Sequence, residues 1–321
     1  MDCTNKLRVI VGDVTIGMRG EGFSYIFATV KGGMESLVQN GREWLYRMPV
    51  PTFWRALTDN DRGSGFALKS GMWIGADCFA RCVETRVTID DNAVEVPLPP
   101  ANNVYAGEVE AERAAVTFVY ETLTVPATHV TVCYEVFAGG GIHVRVHYEG
   151  REGLPELPVF GMRFVMPTCA DRFRYEGLSG ETYPDRMAGG VHGIHEVKGL
   201  PVTPYLVPQD CNVHMQTKWV EVYRSTSLDN SVKQQEETAL RFAAEEDGDI
   251  AFACIPYTAL ELENATHQEE LPAARRTVLT VLGAVRGVGG INSWGIDVEP
   301  PYHIDAEKDI DYGFWIGGIK D

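Results

Sequence analysis

The chain of 321 residues has no apolar run near the roughly 20 residues that a membrane-spanning helix needs. Its opening stretch, MDCTNKLRVIVGDV, carries an early acidic residue and too short an apolar segment for a signal peptide. Basic residues are scarce, 28 against 45 acidic ones, and the net charge is -17. Such an acidic chain is a poor partner for nucleic acid or an anionic membrane. We therefore expect a cytoplasmic protein that binds neither.

Cysteine is sparse, with seven residues scattered through the chain. Three of them lie in strand-like or apolar contexts, VTVCYEV, VMPTCAD and AFACIPY. Cysteines in such contexts behave as small buried hydrophobes, and disulfides are rare in the cytosol. We expect all seven to be reduced thiols.

Arrangements typical of metal and nucleophile sites are missing. VHGIHEV offers His192, His195 and Glu196, but its glycines and β-branched residues disfavour a helix and no third ligand is marked, which favours a solvated loop. Cys78 and Cys82 are not followed by the second pair that a structural zinc site needs. No serine-centred nucleophile elbow is present. The sequence predicts no catalytic residue and no metal site in this chain.

Alternation of apolar and polar residues is the dominant pattern, and it is typical of half-buried antiparallel strands. Three runs show it, AAVTFVYETLTV, HVTVCYEVF and GIHVRVHYEG. RTVLTVLGAV predicts a deeply buried strand, TIDDNAVEV a hairpin, and TALELENATHQEEL the best helix. These elements predict an all-β fold of two large packed antiparallel sheets. Without a linker or repeat, we expect a single domain over residues 1–321.

Two polar segments stand apart from the strand pattern. FWRALTDNDRGSGF gathers Asp59, Asn60 and Asp61 behind Arg55. Alone, this cluster is typical of a turn in which Asp and Asn cap their own backbone, and it does not have the ligand spacing of a calcium loop. RGVGGINSWGIDVEPPYHI holds Trp294 among glycines and polar residues. A tryptophan in such a setting indicates either a binding platform on a loop or a packing residue at a sheet corner.

Four motifs resemble, in the same order, elements of the C-terminal β-domain of β-galactosidases of glycoside hydrolase family 2. They are PTFWRALTDNDRG, GLSGETYPDR, YLVPQDCNVHMQTKWVEV and GGINSWG. The chain is most similar to the separately encoded small subunits of heterodimeric bacterial β-galactosidases. It departs from the family pattern at Leu57, where proline is common, and at Asn292, where much of the family has aspartate. His214 stands where single-chain relatives carry arginine, which suggests the two-chain branch.

The resemblance implies a large antiparallel super-sandwich that is galactose mutarotase-like. In the family, two glutamates on a TIM barrel hydrolyse terminal β-D-galactosides such as lactose with retention. The acid/base glutamate follows an asparagine, but this sequence contains no Asn-Glu dipeptide and no βα repeat from which a barrel could form. We expect the catalytic groups on a large-subunit partner, together with the Mg and Na ions, and no cofactor in this chain.

The resemblance also implies a sugar contact. Trp294 would reach from this chain into the mouth of the partner's barrel, where its indole matches the apolar face of a pyranose. Asn292 and Ser293 would lie beside it. The segment 63–72, GSGFALKSGM, is expected to be a mobile loop next to this composite active site. Its first residues are Gly63, Ser64 and Gly65.

Two other functions stay open on the sequence. One is a stand-alone aldose 1-epimerase, which needs a histidine and a glutamate at one sugar site. The nominal candidates are His143, His192 or His195 with Glu176 or Glu181. The other is a sugar-binding module that is not linked to catalysis.

Overall fold

A computed structural model describes residues 6–97, 105–231 and 236–317. Antiparallel strands dominate it, and no helix in these ranges is long and apolar enough to cross a membrane. The four short α-helices are α1 (Asp59–Ser64), α2 (Phe66–Ser70), α3 (Ala76–Phe79) and α4 (Ala259–Glu263). The strands are β1 (Leu7–Gly12), β2 (Thr15–Gly20), β3 (Phe23–Ala28), β4 (Gly33–Gln39), β5 (Arg42–Glu43), β6 (Arg47–Thr52), β7 (Arg81–Ile89), β8 (Asn92–Val94), β9 (Tyr105–Ala111), β10 (Arg113–Glu121), β11 (His129–Phe137), β12 (Ile142–Tyr148), β13 (Val159–Met166), β14 (Arg172–Leu178), β15 (His192–Lys198), β16 (Val213–Thr217), β17 (Trp219–Arg224), β18 (Thr238–Ala244), β19 (Ile250–Ile255), β20 (Thr277–Val285) and β21 (Ile310–Ile316).

The strands form three sheets. The largest has ten strands in the order β15-β14-β17-β18-β21-β12-β11-β10-β7-β8. A six-stranded sheet has the order β5-β4-β3-β2-β1-β9, and a five-stranded sheet the order β16-β19-β20-β13-β6. The described ladders are antiparallel, as the sequence predicts.

The ten-stranded sheet is one layer of the molecule, and the other two sheets pack against its inner face. Phe27 of the six-stranded sheet contacts Tyr134 of the ten-stranded one, with ring centroids 5.6 Å apart. Phe164 of the five-stranded sheet contacts Phe242 in the same way at 5.0 Å. One continuous cluster of buried residues contains all four rings. The all-β antiparallel fold is therefore confirmed, but the second layer is divided. Within the described residues no ladder joins its two sheets, and the short strand β5 pairs with β4.

The strand patterns read from the sequence are confirmed. The three alternating runs form β10, β11 and β12, which are neighbours in the ten-stranded sheet. Their apolar positions, including Val116, Val132 and Val144, are fully buried. The buried run RTVLTVLGAV forms β20 inside the five-stranded sheet. The predicted hairpin joins β7 to β8 through Asp90 and Asp91, which both have a positive φ.

The prediction of a solvated loop for VHGIHEV was wrong. This segment forms β15, the edge strand of the ten-stranded sheet, with His195 opposite Tyr175 on β14. The β-branched residues that disfavour a helix are equally suited to a strand. The His192 ring contacts Gln216 Oε1 at 3.0 Å, and the His195 ring contacts the Val191 carbonyl oxygen at 3.0 Å.

The six cysteines in the described ranges are free thiols, in agreement with the sequence. Cys211 and Cys254 are buried. Burial raises the pKa of Cys211 to about 12, so its thiol is protonated and unreactive at neutral pH. Cys3 lies outside the described residues.

His214 is buried in an aromatic shell. Its side chain is 3% exposed and stacks on Phe252 with ring centroids 4.7 Å apart, and Tyr175 packs beside it at 4.6 Å. Neither ring nitrogen has a hydrogen-bond partner of normal geometry among the described residues. Burial lowers the pKa of His214 to about 4, and an interaction with the Gly180 backbone opposes this only in part. The ring is therefore neutral in the folded protein at pH 7.

We predict that His214 makes the fold sensitive to acid. The unfolded imidazole binds a proton below about pH 6.5 and the folded one only near pH 4, so stability falls as the pH drops through this window. The His214 contribution at pH 5 is a loss of about 2 kcal/mol. Urea unfolding at pH 7.5 and pH 5 should show a smaller difference for His214→Phe than for the wild type. His267→Gln, at an exposed histidine, should behave like the wild type. Equal differences in all three proteins would contradict the prediction.

Candidate functional site

The four sequence motifs meet around the buried guanidinium of Arg55, which is 2% exposed. Its Nη2 donates to both carboxylate oxygens of Asp61, at 3.1 Å each. Nη2 also donates to the carbonyl oxygen of Gly287 at 2.8 Å, and Nη1 donates to that of Arg286 at 2.7 Å. Burial opposes the charge on Arg55, but the charge and hydrogen bond of Asp61, together with the electrostatic effects of Asp210 and Tyr183, outweigh it and raise the pKa of Arg55. Arg55 thus links the Thr-Asp-Asn-Asp segment to the chain that leads to Trp294.

Asp61 is shared by a second buried arginine. Arg286, 1% exposed, donates from Nη1 to Asp61 Oδ1 at 3.1 Å. Its Nε donates to Glu156 Oε1 at 2.5 Å, and its Nη2 donates to Asp297 Oδ1. Two guanidinium groups therefore face three carboxylates, which compensates the cost of burying them. The sequence reasoning missed Arg286, whose only signal is a basic residue directly after the apolar strand β20.

The Thr-Asp-Asn-Asp segment places Asp61 by starting helix α1. Thr58 Oγ1 accepts the Asp61 backbone N–H at 3.1 Å, and Asp61 Oδ2 accepts the Thr58 N–H at 3.0 Å. This reciprocal capping box satisfies two free backbone donors at the helix start. The Asp59 N–H donates to Gln209 Oε1 at 2.7 Å, which joins the Pro-Gln motif to the same helix. The expected capping role is real, and the Asp61 carboxylate serves the cap and the buried arginines at once.

Tyr183 and Asp210 bring the two middle motifs to the same place. The Tyr183 hydroxyl donates to Asp210 Oδ2 at 2.9 Å, and the Arg55 guanidinium lies over the Tyr183 ring at 6.0 Å. Burial raises the pKa of Asp210 to about 6, although the charge of Arg55 and the hydrogen bond from Tyr183 oppose it. Tyr183 is buried and Asp210 is half-buried, and both act as supports for Arg55.

The chain that leads into the Trp294 segment is held at its start. The Asp185 carboxylate accepts the backbone N–H groups of Val288 at 3.0 Å and Gly289 at 2.8 Å. Asn60 Nδ2 donates to the Val288 carbonyl at 2.8 Å. Arg186 donates to the Gly289 carbonyl. Two motifs thus clamp the entry to the loop.

The loop is held again at its end by Asp297. Its carboxylate accepts from Arg286, from Lys69 Nζ at 3.1 Å and from the Val298 backbone N–H at 2.9 Å. Partial burial would raise the pKa of Asp297, but the hydrogen bonds from Lys69 and Val298 and the charge of Arg286 lower it. Asp297 is ionised at neutral pH and ties the loop to helix α2, which carries Lys69.

Between these anchors, Trp294 projects into solvent with 91% of its surface exposed. Asn292 Oδ1 accepts the Trp294 backbone N–H at 2.9 Å, so Asn292 shapes the turn. Ser293 is exposed next to it. Gly289 and Gly295 have φ values of 67° and 73°, which glycine adopts at little cost. The prediction of a loop tryptophan is confirmed, because a residue packed at a sheet corner would be buried.

The prediction of a mobile loop at 63–72 was wrong in its secondary structure. Helix α1 ends at Ser64, Gly65 follows with a φ of 72°, and helix α2 begins at Phe66. The Phe66 ring is fully buried, with the Arg286 guanidinium 4.2 Å above it. That anchor makes the segment helical rather than irregular.

The segment nevertheless lies against the Trp294 loop. A Cβ added to Gly295 would be 2.5 Å from the Gly63 carbonyl oxygen, so the two backbones are in direct contact. The structure therefore brings Gly63 and the tryptophan loop together, while their contact with a substrate stays a prediction.

A family model for the β-galactosidase small chain matches residues 19–316. The chain belongs to this family. It is 59% identical over 314 residues to the β-galactosidase small subunit of Latilactobacillus sakei, and the match covers 98% of both chains. It is 32% identical to the β-galactosidases of Halalkalibacterium halodurans and Lactobacillus delbrueckii subsp. bulgaricus. The matches take in 98% and 94% of this chain but only 28% and 27% of those relatives. The chain thus spans under a third of these longer β-galactosidases.

Solved structures similar to this small-chain family member include a galactose mutarotase-like protein from Lactobacillus casei. Its TM-score is 0.42 at 9% identity, and the alignment covers 94% of this chain and 99% of that one. A putative aldose 1-epimerase from Escherichia coli has a TM-score of 0.43 at 10% identity, with 92% and 95% covered.

The residues nominated for an epimerase site are only partly brought together in this small chain, where Glu176 on β14 lies opposite Ile194 on β15, the strand that carries His192 and His195. His143 lies on β12, and His192 and His195 lie on β15, five strands away in the same sheet. At a strand spacing of about 4.8 Å, that separation is about 24 Å. Glu176 accepts from the Trp219 indole at 2.7 Å. Glu181 accepts three hydrogen bonds, from Thr203, Tyr205 and the Asn212 backbone.

Metal ligands do not group in the described parts of the chain, where no three His, Cys, Asp or Glu side chains are placed to hold an ion. Cys78 is exposed and Cys82 half-buried at the start of β7, and both are free thiols.

We predict that Asp61→Asn strongly destabilises the small chain. The change leaves Arg55 and Arg286 buried with one carboxylate fewer, and removing one partner of a buried ion pair costs about 3–5 kcal/mol. The free energy of unfolding measured with urea should fall by this amount. Asp59→Asn is the matched control, because Asp59 is exposed on the same helix and its carboxylate pairs with the half-buried Arg62 at 3.2 Å. A loss below about 1 kcal/mol for both variants would show that the network is not essential.

Proposed function

We propose that this small chain completes the active site of a large β-galactosidase subunit that hydrolyses terminal β-D-galactosides such as lactose with retention. The observation that carries the proposal is Trp294, whose indole is 91% exposed on a loop clamped at both ends. A large aromatic group held rigidly in solvent has no value for the fold of the chain itself. It fits a platform that a sugar covers when a second chain supplies the rest of the site.

The catalytic glutamates are assigned to that second chain. Single-chain relatives are more than three times as long as the part that this chain matches. The sequence has no Asn-Glu dipeptide, and the described strands are paired antiparallel, unlike the parallel strands of a βα barrel. The relative from Latilactobacillus sakei is called a small subunit, which supports a large-subunit partner for this chain as well.

The clamped loop suits sugar binding because it is ordered before the ligand arrives. Asp185 and Asp297 hold its two ends, and Asn292 fixes the turn. A pre-ordered loop loses little conformational entropy on binding, so more of the contact energy appears as affinity. In this arrangement Trp294 stacks on the apolar face of galactose, and Ser293 presents a hydroxyl beside it.

The remaining parts of the proposal follow from the family resemblance. The Mg and Na ions would be bound by the large subunit, and this chain would hold no cofactor. The complex would act in the cytoplasm, where the free cysteines stay reduced.

The proposal is tested by purifying the small chain alone, and with its cognate large subunit, from a host that lacks β-galactosidase. The small chain alone should not hydrolyse a galactoside, and addition of the large subunit should restore full activity. Hydrolysis by the small chain alone at enzyme-like rates, with host enzyme excluded, would refute it. So would a large subunit whose activity does not depend on this chain.

We predict that Trp294→Ala weakens galactoside binding by roughly ten- to several-hundred-fold. Stacking adds roughly 0.5–1.5 kcal/mol beyond area burial, and covering the indole face about 1–2 kcal/mol, where about 1.4 kcal/mol is tenfold. Trp294→Phe and Trp294→Tyr should lose less. Part of the loss should appear in KM, and the variant should still co-purify with the large subunit. Wild-type kinetics, or failure to assemble, would contradict a sugar platform.

We predict that alanine substitutions at Gly295 and Gly63, whose backbones are in contact, have unequal effects on KM. Gly295→Ala forces a side chain into a positive φ of 73° and onto the Gly63 carbonyl, so the loop must shift. Gly63→Ala needs no such movement, because its Cβ would lie 3.6 Å from Gly295 Cα. In the complex, Gly295→Ala should raise KM at least tenfold, whereas Gly63→Ala should stay within about threefold of the wild type. Equal effects would show that the backbone contact does not position Trp294.

A further inference from the structure

The segment from helix α2 to helix α3 carries bare apolar side chains. Leu68 is 94% exposed and Phe79 is 65% exposed, and Met72 and Ile74 between them are each more than 40% exposed. The Val125 backbone N–H lies 3.4 Å from Met72 Sδ, so Val125, 78% exposed, extends the same surface. Apolar groups of this size are rarely clustered in solvent on a chain that works alone. We name these five residues the apolar ridge.

The ridge is also free of unpaired charge, in a chain whose net charge is -17. Residues 66–79 contain one basic and one acidic side chain. Lys69 is paired with Asp297 at 3.1 Å, and Asp77 is buried and paired with Arg163 at 2.5 Å. Interface centres are depleted of charge and enriched in aromatic residues and methionine. The composition of the ridge matches an interface better than a solvated helix.

The ridge is continuous with the tryptophan loop. The Lys69–Asp297 pair joins helix α2 to the end of that loop, and Gly63 contacts Gly295 one turn earlier. A partner that covers the Leu68 end of the ridge therefore lies close to the loop that carries Trp294. This position selects the occupant, because a second copy of the same chain would crowd the platform that the proposed function leaves open for sugar.

We infer that the apolar ridge is the docking surface for the catalytic large subunit, with Leu68 and Phe79 as its central anchors. The inference rests on the proposed function. Longer β-galactosidases carry this region within one chain. In a two-chain enzyme the association must be stable without a covalent link, and buried apolar anchors supply most of the affinity of such interfaces. Docking on helix α2 also places the partner against the Lys69–Asp297 pair that holds the loop.

The test compares Leu68→Ser/Phe79→Ser with the wild type by titrating the large subunit and following activity and sedimentation. If each anchor contributes about tenfold to the affinity for the large subunit, half-maximal activation should need about 100-fold more of the double variant than of the wild type. Turnover at saturation should be unchanged, because Trp294 and its anchors are intact. The matched control is Val191→Ser/Ile194→Ser. These residues are 65% and 59% exposed beside or on β15, at the opposite end of the ten-stranded sheet from β7, the strand that follows the ridge. It should bind like the wild type.

Leu68→Lys is a second variant. The Leu68 side chain is almost fully exposed, so the substitution should leave the fold of the chain intact. It should weaken binding of the large subunit at least tenfold. Binding of both ridge variants at wild-type affinity would overturn the docking surface alone. Loss of self-association of the isolated chain, with large-subunit binding unchanged, would overturn it in favour of a second copy. A wild-type chain that neither binds nor activates the large subunit would instead refute the proposed function.

Discussion

The carboxylate of Asp61, enclosed between the guanidinium groups of Arg55 and Arg286, is the interaction on which the site depends. It joins residues more than 220 positions apart in the chain. Burying three charges costs stability unless each charge has a well-placed partner of opposite sign. These ion pairs therefore fix the position of helix α1 relative to the chain that follows β20. The polar contacts that clamp the tryptophan loop, from Asn60 to Asp297, depend on that position.

Much of the fold was readable from the sequence because strands leave a local signature. The alternation in β10, β11 and β12 records which face meets the core, and the Asp90–Asp91 pair marks a turn. The division of the second layer was not readable, because the alternation within a strand does not record which strands it pairs with. The helical form of 63–72 was missed for a related reason. Its stability comes from Phe66 under Arg286, a contact between residues distant in sequence.

The candidate site shows the same limit of local patterns. Arg55, Asp61 and Trp294 stood out because they lie in motifs that resemble a known family. Arg286 and Asp297 flank the motif that holds Trp294, and Glu156 lies far from it in sequence, yet no spacing marks these three residues as the other half of the charge network. Charge pairing across a fold has no sequence spacing, so residues of this kind become visible only when the strands are placed. His214 differs again, since its departure from the family was visible but its aromatic shell was not.

The side chains of the edge strand β15 affect whether separate copies of the chain can pair through their sheet edges. As an edge strand, β15 has a neighbouring strand on one side only within the described residues. The outward positions of β15 are His192, Ile194, Glu196 and Lys198, so three of four are polar or charged. Charged side chains on an edge discourage pairing with another sheet. Together with the net charge of -17, these side chains disfavour association of separate copies of the chain through this edge.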